Sequence, residues 1–142
     1  MDGKIDYLNT DLDLTSAEDL TKLASALEAL GVFPLHVGRG DDALWYATFE
    51  TEESFDEPDP NIAAMIKSIE SLAAPIRDVW SRCTRREFNI GYDCGDEPWA
   101  FNQAMSSELL GRIAAVGGAL RITIYPDRHD VAKANTEAKS ET

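Results

Sequence analysis

Two short stretches carry groups able to hold a cation or move a proton, and both carry them at the spacing of a strand. In YLNTDLDL, residues 7–14, Asn9, Asp11 and Asp13 alternate with Leu8, Thr10, Leu12 and Leu14. In REFNIGYDC, residues 86–94, Asn89 and Asp93 alternate with Phe88, Ile90, Tyr92 and Cys94. Successive side chains of a strand point to opposite faces, so each stretch predicts one apolar face and one polar face. Were the two strands neighbours, their carboxylates would crowd. Crowded carboxylates repel, and the repulsion is relieved by a cation, a basic group or a proton. His36 and Arg121 lie in strands that could join the same face. One chemistry open to Asn9, Asp11, Asp13, His36, Asn89, Asp93 and Arg121 is therefore a metal-dependent or acid–base site. The plainer one is a solvated sheet face, whose charges keep the protein soluble and discourage edge pairing. A calcium loop is not among the options, because DLDL has a strand pattern and no glycine turn.

The stretch IGYDCGDEPWAFNQAMSS, residues 90–107, holds the other groups of interest. Cys94 continues the alternation of Phe88, Ile90 and Tyr92, which predicts a small buried thiol. A nucleophilic cysteine needs a base beside it. The only histidines are His36 and His129, so no catalytic residue is assigned. Cys83 and Cys94 lack the spacing of a zinc site, and no metal ligand set or cofactor is assigned. Trp99 and Phe101 stand two apart in a loop, beside Asp96 and Glu97. They serve either as anchors over the core or as an apolar contact patch with a polar rim. Trp45 and Tyr46 are adjacent in a strand, so one enters the core and the other adds apolar area outside. These six residues are the interface candidates. Arg82, Arg85 and Arg86 form a basic cluster too small for a phosphate groove, and no Walker, dinucleotide-binding, nucleophile-elbow or HExxH pattern occurs.

The elements that must position these groups follow from periodicity. Thr15 and Glu18 have capping-box spacing, and Leu20, Leu23, Ala24, Leu27 and Leu30 form one helical stripe that Gly31 stops. VFPLHV and ALWYATFET read as a hairpin, with Phe33, Leu35 and Val37 on one face and Pro34 marking an edge. Asp59 and Pro60 resemble an N-cap and N1 before a stripe of Ile62, Met65, Ile66, Ile69 and Ala73. Pro75 then kinks or divides the helix before Ile76, Val79, Trp80 and Cys83. A last helix with Leu109, Leu110, Ile113 and Val116 inward leads into the strand ALRITIYP. The two ends echo each other: Leu23, Leu27, Leu30 and Gly31 match Leu109, Ile113, Val116 and Gly117, so a strand–helix–strand unit could be used twice.

This order predicts an α+β two-layer sandwich over residues 1–126, with a mixed or mainly antiparallel five-stranded sheet and helices on one face. The first six elements have the ferredoxin-like order. Residues 127–142 read as a mobile polar tail. The chain of 142 residues suits one domain, and its hydrophobic share of 44% supports a core. With 26 acids against 13 bases, the net charge is −13. That disfavours nucleic acid and anionic membrane as partners and permits a basic protein partner. No basic-then-apolar leader pattern opens the sequence, so a cytoplasmic protein with reduced cysteines is expected.

The ending REFNIGYDCGD…SSELLGRIAAVGGALRITIYP resembles small uncharacterised bacterial domains grouped with toxin-neutralising immunity proteins. The resemblance covers about the last 40 residues before the tail and carries over no site residue. The acidic charge, the unassigned aromatics and the missing catalytic constellation lead to the expected function, a non-catalytic protein-binding module, with an immunity-type inhibitor or a homodimer among its forms. The alternatives are a metal-dependent enzyme on the open face and a small-ligand module with a pocket between loop and sheet.

Overall fold

A computed structural model of the protein describes residues 3–126. The expected tail at 127–142 lies outside the described residues. Among them run β1 (Asp6–Ser16), α1 (Thr21–Ala29), β2 (Val32–Arg39), β3 (Trp45–Thr51), α2 (Pro58–Glu70), α3 (Ala74–Ser81), β4 (Arg85–Asp93), α4 (Ser107–Ala115) and β5 (Ala119–Tyr125). The chain is an α+β two-layer fold with a mixed five-stranded sheet in the order β2-β3-β1-β4-β5. Neighbours among β2, β3, β1 and β4 pair antiparallel, and β5 joins β4 in parallel.

One face of the sheet builds the core. Leu12 and Leu14 of β1, Ala47 and Phe49 of β3, and Phe88 and Ile90 of β4 meet Leu23 and Leu27 of α1 and Ile62, Met65, Ile66 and Ile69 of α2. Trp80 of α3 is buried, and its Nε1 donates to the Val116 carbonyl at 2.9 Å, joining α3 to the end of α4. The indole thus buries a large apolar area while satisfying its one donor.

Two strands invert their faces where a residue is inserted. β1 shifts register against β4 between Tyr7 and Asn9, so Leu8 is exposed and Tyr7 packs against the core. This corrects the simple alternation of YLNTDLDL, in which Leu8 faced inward and Tyr7 outward. β2 shifts between Pro34 and His36, leaving Phe33 and Leu35 exposed, while Val32 is buried and Val37 packs against the core. An extra residue in one strand turns every side chain beyond it to the other face.

Helix starts also depart from the local signals. Thr15 does not cap α1. It is buried in β1, paired with Tyr46 on one side and Arg85 on the other. Pairing on both sides outweighs a single cap bond, and α1 begins later, with the Asp19 carboxylate accepting from the Thr21 N–H at 2.8 Å. Glu18 instead meets Arg82 at 2.9 Å. α2 starts at Pro58 rather than after Asp59, with Glu57 as an N-cap that makes no side-chain bond. Ala73 and Leu110 are exposed, and Leu72 takes the inward place near the end of the α2 stripe. Ser106 caps α4 by accepting from the Leu109 N–H at 3.1 Å. Pro75 sits at the start of α3, so the segment is two helices.

The two similar strand–helix–strand units differ in the sheet. α1 and α4 both stop at a left-handed glycine, Gly31 and Gly117. Yet β1 and β2 have β3 between them, whereas β4 and β5 are direct neighbours. The last strand of each unit, β2 or β5, nonetheless lies at an edge of the sheet among the described residues.

Candidate functional site

The sheet face away from the core carries the polar groups of the sequence reading. β1 and β4 are adjacent, with Asp11 opposite Asn89 and Asp13 opposite Glu87. The Asn9 amide donates to Asp11 at 3.3 Å and to Glu50 of β3 at 3.1 Å. Asp13 accepts from the Thr48 hydroxyl at 2.9 Å and lies 3.7 Å from Arg85. Arg85 and Arg121 both reach Glu87 Oε1, at 2.7 and 2.5 Å. The Thr123 hydroxyl donates to Asn89 at 2.7 Å. His36 is exposed on β2, opposite Thr48. Asp93 ends β4, opposite Asp6 and Tyr125.

Electrostatics divides this face in two. Burial, with the charges of Asp13 and Glu50, pushes the Asp11 carboxyl up, and the Asn9 bond only partly opposes it. Burial would also raise Glu87, but the hydrogen bonds and charges of Arg85 and Arg121 outweigh it and hold Glu87 below the usual range. Arg85 and Glu87 were absent from the sequence-based cluster. They neutralise much of the repulsion that a cation would otherwise relieve. Among the described residues, no three histidine, cysteine, aspartate or glutamate side chains converge as a metal site. The face is a hydrogen-bonded lattice with its own counter-charges.

Tyr46 also projects from this face, and its hydroxyl donates to the Asp42 carboxylate. Trp45 turns the other way and packs against the core.

The second candidate region lies on the core-side face, at the β5 end of the sheet. Leu120, Ile122 and Ile124 of β5 pair with Phe88, Ile90 and Tyr92 of β4, so they share the core-side face. They are nonetheless exposed, Ile122 at 59% and Ile124 at 63%. α4 buries Leu109 and Ile113 in the core cluster, Val116 just after it is buried too, and the β5 row stays exposed. Sequence reasoning missed the row.

The 94–106 loop continues the same region. Its backbone docks on the chain's start: Asp96 and Glu97 N–H donate to the Gly3 carbonyl at 2.9 and 3.1 Å, and Ile5 N–H donates to Glu97 at 2.8 Å. The Asp96 and Glu97 side chains stay exposed. Phe101 stacks edge-on against Tyr92 with ring centroids 5.1 Å apart, and Tyr92 meets Tyr7 at 5.9 Å. Trp99 is 98% exposed, so of the two loop aromatics only Phe101 is an anchor. Cys94 is exposed, not buried, because β4 ends at Asp93 and the alternation ends with it. Ile5, Tyr92, Cys94, Phe101, Gln103, Ile122 and Ile124 line a largely apolar hollow of about 340 Å³ between loop and sheet.

The fold supports this region through one buried polar residue that the sequence reading passed over. Asn61 of α2 is fully buried. Its Oδ1 accepts from the Tyr7 hydroxyl at 2.7 Å and the Thr10 N–H at 3.2 Å, and its Nδ2 donates to the Thr51 hydroxyl at 2.7 Å. Burial drives the Tyr7 hydroxyl up to about 12, so it stays a donor.

No protein-family model, curated protein or solved structure matches this chain. No helix among the described residues is long and apolar enough to cross a membrane.

Proposed function

We propose that this protein is a protein-binding module whose docking surface is the core-side face of β5 together with the 94–106 loop. One observation carries the reading: among the described residues, β5 is an edge strand and its apolar row of Leu120, Ile122 and Ile124 is exposed. An edge strand offers unpaired N–H and C=O groups, and proteins usually blunt it with proline, a bulge, charges or a cover. β2, the other edge, has Pro34, a register shift and exposed His36 and Arg39. β5 has no proline, its register with β4 runs without a shift, and its one charged residue, Arg121, is paired with Glu87 on the other face. A contiguous apolar patch of this kind marks an interaction site. Trp99, 98% exposed in the 94–106 loop, adds a large aromatic of the type that dominates interface energetics.

Binding in this mode is non-catalytic and steric. Main-chain pairing supplies affinity, and the Ile122, Ile124 and Trp99 side chains supply selectivity. An inhibitor that covers another protein's working surface, in the manner of the immunity-type domains, is one form it takes. The test is alanine substitution of Ile122, Ile124 and Trp99 together, followed by sedimentation and partner capture. Association with itself or with a partner is expected to fall. Unchanged association in both measurements would overturn the reading.

A second reading rests on the hollow between loop and sheet. Its size and apolar lining, with the Tyr92 hydroxyl and Gln103 amide as polar groups, suit a small apolar ligand. Native mass spectrometry of the purified protein checks it. A bound small molecule lost on Phe101→Ala supports it, and a bare chain opposes it.

A further inference from the structure

Resting on the reading of β5 as a docking edge, we infer that its occupant is a second copy of this chain, paired antiparallel through β5 about a two-fold axis at Ile122. The strand's own residues argue for this. β5 is seven residues long and Ile122 is its central one. An antiparallel pair centred there is the register in which every residue of both strands finds a partner. On the core side, Leu120 then faces the partner's Ile124, and the two Ile122 side chains meet on the axis. Apolar pairs of this kind directly opposite each other stabilise an antiparallel ladder.

On the other face, Arg121 faces the partner's Thr123, so no like charges stand opposite. Moving the axis to residue 121 would set arginine against arginine, which is unfavourable. Arg121 already pairs with Glu87 at 2.5 Å, so the seam carries little net charge. A symmetric dimer uses the same patch twice and therefore needs this self-complementarity.

Other occupants fit less well. Residues 127–142 follow directly, but their one large apolar side chain is Val131, too little to match a row of three. A basic strand from elsewhere would meet Arg121, the one charged residue of β5. The charge of −13 on each chain opposes dimerisation at low salt. That repulsion is screened beyond about 8 Å at physiological ionic strength. Added salt should therefore tighten this dimer, whereas it would loosen a complex with a basic partner.

Sedimentation equilibrium of the full chain over a concentration series, in low and moderate sodium chloride, tests the inference. Wild type is expected to show twice the chain mass at the upper concentrations, with tighter association in the higher salt. Ile122→Lys and Ile122→Asp should each weaken association at least tenfold, since each sets like charges on the axis. An equimolar mixture of the two variants should restore the dimer mass, because lysine then faces aspartate. Ile122 is exposed, so both variants should keep the wild-type circular dichroism and melting. A monomer at every concentration and salt overturns the second-copy inference. A dimer that Ile122→Lys leaves intact, or variants whose mixture stays monomeric, also overturns it. Capture of a different protein by wild type, lost in Ile122→Lys, with a monomer throughout, overturns the inference and leaves the docking reading standing.

Discussion

Ile122 and Ile90 face each other across the parallel β4–β5 ladder, yet Ile90 is 1% exposed and Ile122 is 59% exposed. Both belong to alternating apolar rows on the same side of the sheet. Ile90 has β1 on one flank and β5 on the other, under the packed helices. Among the described residues Ile122 has a strand neighbour on one flank only, and its side chain stands open. The pair separates two roles that look alike in sequence: one isoleucine holds the fold, and the other is available for docking.

Alanine substitution should separate them experimentally. Ile90→Ala removes a fully buried side chain and leaves a cavity, at a cost of about 2–5 kcal/mol. Ile122→Ala should change the stability of the separate chain by about 0.5 kcal/mol or less. Urea unfolding at a concentration too low for association reads both. A larger loss at Ile122 than at Ile90 would contradict the exposure contrast.

Asn61 makes a second prediction. Asn61→Ala removes the acceptor of the Tyr7 hydroxyl and the Thr10 N–H inside the core. Leaving buried groups unpaired costs about 1–3 kcal/mol, and a lower denaturation midpoint is expected. Tyr7→Phe removes one member of the network and should cost less. In a double-mutant cycle the two changes should not add, because they share a bond.

Acid stability should depend on Asp11 and Glu87 in opposite senses. The Glu87 carboxyl is held low in the folded chain, so its contribution is present above its unfolded value of 4.5 and is lost as pH falls through the lower folded value. Glu87→Gln should destabilise at neutral pH by about 0.5–1 kcal/mol, with the difference closing in acid. The Asp11 carboxyl is raised, so it penalises folding above its folded value, and the penalty disappears below 3.8. Asp11→Asn should therefore stabilise at neutral pH and leave acid stability unchanged. Thermal melts from pH 7 down to about pH 3 measure both slopes. Parallel curves for the two variants and wild type would contradict the assignment.

The cysteines should react at very different rates. Cys94 is exposed, while Cys83 is buried and its thiol is pushed up to about 11 by that burial. A disulfide reagent at neutral pH should titrate Cys94 promptly and Cys83 only after denaturant is added. Cys94 lines the hollow beside β5, so labelling should slow as chain concentration rises into the dimer range. Two fast equivalents in the native chain would contradict the placement of Cys83.

Much of the fold is legible in the chain. The stripe of Leu23, Ala24 and Leu27, the stripe of Ile62, Met65, Ile66 and Ile69, and the glycine stops are local consequences of a 3.6-residue period. The alternation of Leu12 and Leu14 against Asp11 and Asp13 is a local consequence of the pleat. Bulges escape such reading, because one inserted residue at Leu8 or Leu35 inverts a face without altering composition. The Thr15–Glu18 spacing is a sound cap signal that lost to strand pairing on both sides of Thr15. Asn61 gives no signal at all, since its partners Tyr7, Thr10 and Thr51 are remote in sequence.

The amino-acid order by itself determined the period of each segment, the acidic balance and the apolar side of each strand stretch that carries no bulge. Tertiary structure alone decided which apolar sides are covered. It buried Ile90, left Ile122 and Trp99 open, and surrounded Glu87 with Arg85 and Arg121. The physical reason is range. Periodicity is set by neighbours a few residues away, whereas burial and charge compensation depend on strands and helices brought alongside from distant parts of the chain.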